Sequence, residues 1–599
     1  MMYTLGKTST EEILGFSQDR VFILNEYLEI SDKENKNPIC EVIETYSYKK
    51  CYDDLIIDGL NLSKSLSEVL GFDKEKDLYI AKFKILGELN HPVRPLTEIK
   101  IPNFLDIENL LINSPLNRGF LLGITRGTSH MLPTLPEKYK DVCKVLKDGD
   151  IQEQDGVPFI LDAYSQAEYP HIGFFGGSGS GKTFGQRVLT EEIMKKKIPG
   201  LIADAHFEFS YDNKMPGVGS SIDYSDRCEI FTIGKNCGIN FCDLNTGELI
   251  KLISFVGQLS QPMIGAIEAL HSKGDTYQEL ARKVEELRTA FENEEKSKKD
   301  KEPLSEDSVL LFQKYKNKIS GKETLQAVMW RLEALNKMNI FKFDASPIES
   351  CLLRRKLAIL RSPSYKILTV YISYVVGKMY KKRRSYKDGT NPNGKFPPFF
   401  VMLDEAHIYA PKNGGDNPTK SLLRELGQEA RKYGVFLVVG TQRPSLLDPD
   451  LFSQLSTKII FRTQIESDME MIRSETGLNE HEFSILSKLT AGHAFVSSAT
   501  LSKVFYIKFR CSETKSAFQV NPFDELKEFG VNERLQYILK SKLPINVEQL
   551  GSLHGAIEKE YGSKLLIEDI TNTLEDMVNE GVLIKEKTPF SNRYMLNRQ

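Results

Sequence analysis

Eight consecutive residues, Gly176–Thr183, have the types and spacing needed to bind a nucleoside triphosphate. They read Gly-Gly-Ser-Gly-Ser-Gly-Lys-Thr and lie between an apolar run, His171–Phe175, and a helical pattern. Backbone N–H groups of a glycine-rich turn can point at phosphate oxygens, and the following helix adds the positive end of its dipole. We expect Lys182 to contact the β- and γ-phosphates and Thr183 to bind Mg²⁺, so ATP and Mg²⁺ are the predicted cofactors. The predicted nucleotide-binding residues are Gly176, Gly177, Ser178, Gly179, Ser180, Gly181, Lys182, Thr183 and Phe184.

An acidic pair follows a second apolar run and indicates the hydrolytic half of the same site. The continuous apolar run Phe399–Leu403 is typical of a buried parallel strand, and it ends at Asp404 and Glu405. We expect Asp404 to hold the metal through a water and Glu405 to polarise the water that attacks the γ-phosphate. An acidic pair alone is usually solvated surface, so the apolar run before it is the deciding observation.

A third predicted strand delivers an amide side chain to the same place. The run Val435–Val439 is followed by Gly440, Thr441 and Gln442. Because the carboxyl ends of parallel strands meet at one edge of a sheet, Gln442 is expected near the γ-phosphate. Three strand ends therefore converge on one predicted site.

Composition and charge exclude several classes of protein. With 40% hydrophobic and 27% charged residues, the chain resembles an ordinary soluble globular protein. No apolar run approaches the roughly 20 residues of a membrane span, and the first residues lack the order of a secretory signal, so we expect a cytoplasmic protein without membrane contact. The eight cysteines show no paired zinc-site spacing. A net charge of −3 gives no overall attraction for nucleic acid, so contact with DNA would need a local basic surface such as a channel.

Patterns along the chain predict an α/β protein with smaller domains at both ends. Short β-rich runs near the start predict a small barrel with a helical insertion, and a helix is predicted near Tyr139–Leu146. The predicted boundaries are 1–124 for the β-barrel-like domain, 125–166 for a linker, 167–510 for the ATPase core with a helical insertion at about 246–339, 511–530 for a second linker, and 531–599 for a winged-helix-like domain.

The predicted C-terminal domain has three helices followed by a hairpin, an order that resembles a winged helix. Its third helix exposes five carboxylates, which would repel phosphate. Packing against a subunit or partner is therefore favoured over reading a DNA groove. The five residues are Glu568, Asp569, Glu575, Asp576 and Glu580.

Across the core these motifs resemble the HerA-like ATPases, hexameric DNA translocases related to FtsK. The stretch Leu201–Phe209 resembles the family's Asp-x-His-Gly-Glu-Tyr motif, with Phe207 in place of the glycine. Further similar segments are Ala430–Gly434, Thr441–Ser445 and Lys458–Arg462. The resemblance implies a RecA-like core preceded by a barrel of the HAS-barrel type.

The resemblance also implies a ring in which an arginine from the neighbouring subunit stabilises charge on the transferring phosphoryl group. Arg431 is the candidate for this finger, with Arg443 and Arg462 as alternatives. Asp204 is expected beside the phosphate-loop strand, where it would orient Lys182 or the attacking water. Pro170 stands where family members often carry an arginine, which puts an arginine acting within one subunit in doubt.

Two functions are consistent with this resemblance. In the first, a homo-hexamer encircles double-stranded DNA and moves it by ATP hydrolysis, as a translocase or helicase working with a separately encoded nuclease or other effector in DNA end processing or antiviral defence. In the second, an ATP-regulated ring scaffold assembles and activates an effector, a nuclease or a sirtuin-type NAD hydrolase, with little translocation. A secretion or conjugation ATPase is disfavoured because nothing in the chain targets a membrane.

Overall fold

The computed structural model describes residues 1–6, 8–48, 56–57, 60–61, 76–147, 149–220, 222–295, 305–413, 417–515, 531–562, 564–589 and 591–597. The chain divides into two compact units, Met1–Lys515 and Ser516–Gln599. The helical insertion expected in the barrel, most of the second predicted linker, and residues 296–304 of the insertion in the core lie outside the described residues. Within the described ranges, no helix is both long enough and apolar enough to cross a bilayer.

The first unit begins with a closed barrel of six antiparallel strands, in the order β1-β2-β7-β4-β3-β8. Pairing of β8 with β1 closes the barrel, and its apolar residues fill the interior on alternate positions of each strand. The predicted barrel is therefore confirmed. Its strands, with the short hairpin β5–β6, are β1 (Met2–Leu5), β2 (Glu12–Ser17), β3 (Tyr27–Ile30), β4 (Ile39–Tyr48), β5 (Ile56–Ile57), β6 (Leu60–Asn61), β7 (Leu78–Leu86) and β8 (Glu98–Lys100).

An eleven-stranded sheet forms the core of the first unit, in the order β12-β9-β21-β20-β19-β13-β18-β17-β14-β16-β15. The strands from β19 to β15 are parallel, whereas β20, β21, β9 and β12 extend the sheet in antiparallel fashion. The strands of this unit are β9 (Gly119–Thr125), β10 (Lys144–Lys147), β11 (Asp150–Glu153), β12 (Pro158–Asp162), β13 (Ile172–Phe175), β14 (Gly200–Asp204), β15 (Cys228–Thr232), β16 (Leu357–Arg361), β17 (Phe399–Leu403), β18 (Val435–Thr441), β19 (Thr457–Ile460), β20 (His493–Ser498) and β21 (Phe505–Phe509).

Helices cover both faces of the parallel strands, which explains why these strands are apolar throughout. Along β17, for example, Val401 joins the core on one face and Met402 joins the core on the other. The helices are α1 (Phe104–Leu111), α2 (Lys182–Lys195), α3 (Thr246–Ser254), α4 (Gln261–Leu270), α5 (Tyr277–Glu295), α6 (Glu306–Tyr315), α7 (Lys322–Asn336), α8 (Ser346–Leu353), α9 (Tyr365–Lys387), α10 (Ala406–Tyr409), α11 (Pro418–Tyr433), α12 (Pro449–Ser453), α13 (Glu466–Ser474) and α14 (Glu480–Ile485). The predicted α/β core with its helical insertion, here α3 to α7, is confirmed.

The predicted linker 125–166 contains regular structure that contributes to the sheet. Strand β12 pairs with β9 at the edge of the main sheet, and β10 pairs with β11 in a hairpin closed near Gly149, whose φ is +94°. The helix predicted near Tyr139–Leu146 is wrong, because its second half is paired as β10 and Val145 is fully buried. The domain boundaries themselves stay predictions.

The second unit contains three helices and a three-stranded antiparallel sheet, in the order β22-β24-β23. Apolar residues of all three helices form its core, including Leu535, Ile557 and Leu574. The elements are α15 (Val531–Lys542), β22 (Ile545–Asn546), α16 (Leu550–Tyr561), α17 (Ile567–Asn579), β23 (Leu583–Lys587) and β24 (Asn592–Leu596). The helices and hairpin lie where the sequence predicts them, and the winged-helix assignment stays a prediction.

Candidate nucleotide-binding site

The phosphate loop connects β13 to α2, and its backbone conformation requires glycine. Gly179 and Gly181 have φ angles of +67° and +98°, which side chains disfavour. A Cβ at Gly181 would lie 2.7 Å from the backbone nitrogen of Gly492, and one at Gly176 would lie 2.6 Å from Cβ of Phe461. The glycines therefore allow the loop to pack closely against two neighbouring segments.

Those two segments hold the loop by hydrogen bonds. The N–H of Gly177 donates to the carbonyl of Arg462 at 2.9 Å, and Arg462 Nη2 donates to the carbonyl of Gly179 at 3.2 Å. On the other side, the N–H of Gly492 donates to the carbonyl of Ser180 at 3.1 Å. Arg462, an alternative candidate for the finger, thus contacts the phosphate loop of its own chain.

Lys182 forms an ion pair with the acidic pair at the end of β17. Its Nζ contacts Asp404 Oδ1 directly and lies 3.4 Å from Glu405 Oε1, and its side chain is only 4% exposed. Burial acts to lower the pKa of Lys182, but the negative charges of Asp404 and Glu405 outweigh burial, so the pKa lies above its ordinary value. The structure thus brings together the two strand ends that the sequence predicts to share a site.

The third strand end joins them through Glu405. The backbone N–H of Gln442 donates to Glu405 Oε2 at 3.3 Å, and His407 Nδ1 lies 2.8 Å from Thr441 Oγ1 and 3.4 Å from Glu405 Oε2. Burial lowers the pKa of His407. Glu405 has a φ of +49°, a left-handed conformation that is strained for a residue with a side chain and that often occurs at functional sites.

Asp204 does not lie beside the phosphate-loop strand, which corrects the expected placement. Two strands, β18 and β17, separate β14 from β13. The Asp204 carboxylate accepts hydrogen bonds from Arg361 Nε at 3.0 Å and from the N–H groups of Glu208 and Phe209 at 2.9 and 3.3 Å. Burial raises the pKa of Asp204 despite the opposing hydrogen bond from Arg361. Asp204 therefore holds the loop after β14, and its catalytic role stays a prediction.

That loop brings Glu208 into the site, a residue to which the sequence assigned no role. The Glu208 carboxylate accepts a hydrogen bond from the Thr183 hydroxyl, and its pKa is raised by burial and by the nearby charge of Asp404. Its carbonyl accepts a hydrogen bond from Arg187 Nη2 at 2.6 Å. The motif beginning at Asp204 contained the signal for Glu208, whereas nothing in the local pattern indicated Arg187 or Arg361.

Two arginines proposed for the finger lie in different places. Arg431, in the last turn of α11, is exposed and donates from Nε to the carbonyl of Ala167 at 3.3 Å. This position is at the amino ends of the parallel strands, whereas the phosphate loop follows their carboxyl ends. Arg443 adjoins Gln442 and donates from Nε to Asp468 at 3.1 Å. The structure therefore does not bring Arg431 to the phosphate loop of its own chain.

The oxygen ligands and the buried hydroxyl of this site fit a nucleoside triphosphate with Mg²⁺. Thr183 and Asp404 offer oxygen ligands, and Mg²⁺ commonly takes one or two protein oxygens while phosphates and waters complete its shell. The Ser180 hydroxyl is 1% exposed and, among the described residues, has no hydrogen-bond partner. A buried hydroxyl in a loop with this glycine pattern is suited to a phosphate oxygen.

Comparison with known proteins gives a family for the central region. Residues 146–373 match the family model of the helicase HerA central domain. The DNA double-strand break repair helicase HerA of Pyrococcus furiosus is 34% identical over 122 residues, which are 19% of this chain and 22% of that relative. The enzyme of the same name from Saccharolobus solfataricus is 24% identical over 356 residues, 58% of this chain and 65% of the relative. The chain thus aligns to less than two thirds of these two relatives.

Longer but more distant similarities extend beyond the central region. A probable helicase of Methanocaldococcus jannaschii is 22% identical over 514 residues, 82% of this chain and 87% of the relative. Among solved structures, the conjugative coupling protein TrwB has a TM-score of 0.40 at 12% identity, covering 66% of this chain and 94% of its own. VirB4 of Thermoanaerobacter pseudethanolicus has a TM-score of 0.38 at 14% identity, covering 68% of this chain and 98% of its own. The matches to HerA relatives confirm the resemblance drawn from the motifs.

Proposed function

We propose that this chain is a HerA-like P-loop ATPase that works as an ATP-driven DNA motor, supported by the match of its residues 146–373 to the HerA central domain. The observation that carries the proposal is the contact of Lys182 with both Asp404 and Glu405, with the N–H of Gln442 on the same glutamate. Three strand ends that hydrolytic P-loop enzymes use thus meet in one buried place.

In this proposal the chain's own groups divide the work of ATP hydrolysis. The loop N–H groups and Lys182 bind the phosphates, while Thr183 and Asp404 would hold Mg²⁺, which neutralises developing charge when bound. Glu405 orients and deprotonates the attacking water. The N–H of Gln442 holds the second oxygen of this carboxylate in place. The Gln442 side chain senses whether the γ-phosphate is present. To contact ATP, Lys182 must first leave Asp404.

We propose that the working form is a homo-hexamer with each nucleotide between two copies. Arg431 supports this arrangement, since it is exposed and lies at the amino ends of the parallel strands, opposite the phosphate loop of its own chain. In a ring, the amino ends of these strands in one copy can face the phosphate loop of the next copy. Arg431 would then stabilise charge on the transferring phosphoryl group. Double-stranded DNA would pass through the central channel.

The names of several relatives, DNA double-strand break repair helicases, favour a role in DNA end processing. A separately encoded nuclease would then act on DNA moved by the ring. An NAD-hydrolase effector and antiviral defence stay predictions from the sequence resemblance, and a cytoplasmic location stays a prediction from the sequence pattern. The alternative function, an ATP-regulated scaffold for such an effector, requires the same nucleotide site but little movement of DNA.

The proposal is tested by measuring steady-state ATP hydrolysis with and without linear duplex DNA, together with the mass in solution. A hexamer whose turnover rises several-fold with duplex DNA is the expected result. The Glu405→Gln variant is the matched control, and it should bind ATP and form the same ring while losing at least 100-fold in turnover. A hexamer with turnover indifferent to DNA would favour the scaffold, and a protein that does not hydrolyse ATP would contradict the motor.

A further inference from the structure

Gln186 is a fully buried glutamine on α2, one helical turn after Lys182. Among the described residues, neither its amide nitrogen nor its amide oxygen has a hydrogen-bond partner. A buried amide without a partner costs free energy, because it has lost its water and gained nothing in return. A residue kept in this condition next to a reactive site calls for a physical explanation.

The Gln186 amide and the Asp404 carboxylate both border the space left by a glycine. A Cβ placed on Gly440 would lie 2.1 Å from Gln186 Nε2 and 2.8 Å from Asp404 Oδ1. The amide nitrogen and the carboxylate oxygen therefore converge on the same point, and any side chain on Gly440 would push them apart. Gly440 belongs to β18, which lies between the phosphate-loop strand and the strand of Asp404.

Asp404 Oδ1 already has a partner, because Lys182 Nζ contacts it directly. Under the proposed function, Lys182 moves from this oxygen to the phosphates of ATP. The side chain of Asp404 is only 13% exposed, so its carboxylate would then lose a cation with little water to replace it. The amide nitrogen of Gln186 borders the same space as that oxygen, so a small movement can bring its N–H within hydrogen-bond distance.

We propose that Gln186 is a positioning residue that donates a hydrogen bond to Asp404 when Lys182 turns to the phosphates. The handover keeps Asp404 oriented as a ligand for Mg²⁺, directly or through a water, while the ATP-bound state forms. This inference deepens the proposed function, since it requires that ATP and Mg²⁺ bind at this site. It explains both the unpaired amide of Gln186 and the absence of a side chain at Gly440.

The test uses Gln186→Met in the full chain, with Gln166→Met as the matched control. Methionine keeps the length of the side chain and removes the amide. Gln166 is also a buried glutamine, 1% exposed, whose two amide atoms have no partner among the described residues, but it lies on the 3₁₀ turn Tyr164–Ala167, away from the phosphate loop. Two quantities are measured: the melting temperature without nucleotide, and the Mg²⁺ concentration for half-maximal binding of a fluorescent non-hydrolysable ATP analogue.

For Gln186→Met, the melting temperature without nucleotide should stay the same or rise, because an unpaired buried amide is removed. The Mg²⁺ concentration for half-maximal binding should rise by about tenfold or more, the factor expected for a lost hydrogen bond to a charged group. Gln166→Met should also keep or raise the melting temperature, but its Mg²⁺ dependence should equal that of the unchanged protein.

A Gln186→Met protein with unchanged Mg²⁺ dependence would overturn the proposal. If its melting temperature also fell, Gln186 would have a merely structural role. If Gln186→Met does not fold, Gln186→Leu carries the test, because leucine also lacks the donating amide and should raise the Mg²⁺ concentration for half-maximal binding in the same way. Failure of the unchanged protein to bind the analogue is a different result, and it would contradict the proposed function.

Discussion

Mixing two inactive variants tests whether Arg431 completes the nucleotide site of a neighbouring copy. Arg431 is exposed, and its side chain donates to the carbonyl of Ala167, away from the phosphate loop of its own chain, so alanine should not disturb that site. If Arg431 is the finger, Arg431→Ala alone should lower turnover by about 10³–10⁵-fold, the effect of losing such a group. Glu405→Gln alone should be inactive for a separate reason, since it removes the group that activates water.

The activity expected from the mixture follows from how often the two variants become neighbours in a ring. Each site between copies would use Glu405 from one copy and Arg431 from the next. In rings assembled at random from equal amounts of the two variants, about one quarter of the interfaces combine an intact Glu405 with an intact Arg431. The mixture should therefore recover up to about one quarter of the normal rate per subunit, provided that the sites turn over independently.

The assay is phosphate release by rings that carry both variants, purified through two different affinity tags. Each variant alone sets the background rate. Arg443→Ala mixed with Glu405→Gln is the matched control, because Arg443 adjoins Gln442 and pairs with Asp468 in its own chain, so no recovery is expected. Mixed rings of Arg431→Ala and Glu405→Gln that stay at background at every ratio would refute the assignment of Arg431 to a neighbour's site.

Three further outcomes follow from the contacts. Lys182→Ala should weaken binding of an ATP analogue by about tenfold or more, and unchanged affinity in a fluorescence titration would contradict the phosphate-loop assignment. Arg361→Met should lower the free energy of unfolding by about 3–5 kcal/mol in urea titrations, because it leaves the buried charge of Asp204 unpaired; Arg354→Met, at an exposed pair, should cost less than about 1 kcal/mol. The buried ring of His171 accepts from the N–H of Leu437, and burial lowers its pKa to about 4. The unfolded chain therefore binds the proton more readily, and the free energy of unfolding present above pH 6.5 should fall by up to about 3 kcal/mol as the pH drops towards 4. His171→Gln should reduce this fall. An equally steep fall in His171→Gln would contradict the role assigned to His171.

The parts of the site that the sequence predicts are those that local pattern determines. Gly176–Lys182 needs its glycines for its own backbone, and the apolar run before Asp404 identifies a buried parallel strand. Because parallel strands place their carboxyl ends together, Lys182, Asp404 and Glu405 could be expected to meet before their contact is seen in the structure. The same reasoning placed Gln442 at this site, and the structure shows its N–H bonded to Glu405.

The parts that the sequence does not predict depend on pairing between distant segments. Arg361 meets Asp204 across 157 positions, and only the strand order of the sheet brings them together. That order also separates Asp204 from the phosphate-loop strand, which motif reading could not show. Strand β12 is a short apolar run in a segment rich in Pro, Asp and Lys, a composition that predicts a linker, and only its pairing with β9 adds it to the sheet.

Movement along DNA is the most direct test of the central claim. The measurement is displacement of a third strand from a linear duplex that carries a short triplex, with ATP, for the unchanged protein and for Glu405→Gln. We expect displacement that requires ATP, and a rate at least 100-fold lower for Glu405→Gln while DNA binding is retained. Equal displacement by both proteins, or ATP hydrolysis stimulated by duplex DNA without any displacement, would contradict an ATP-driven DNA motor.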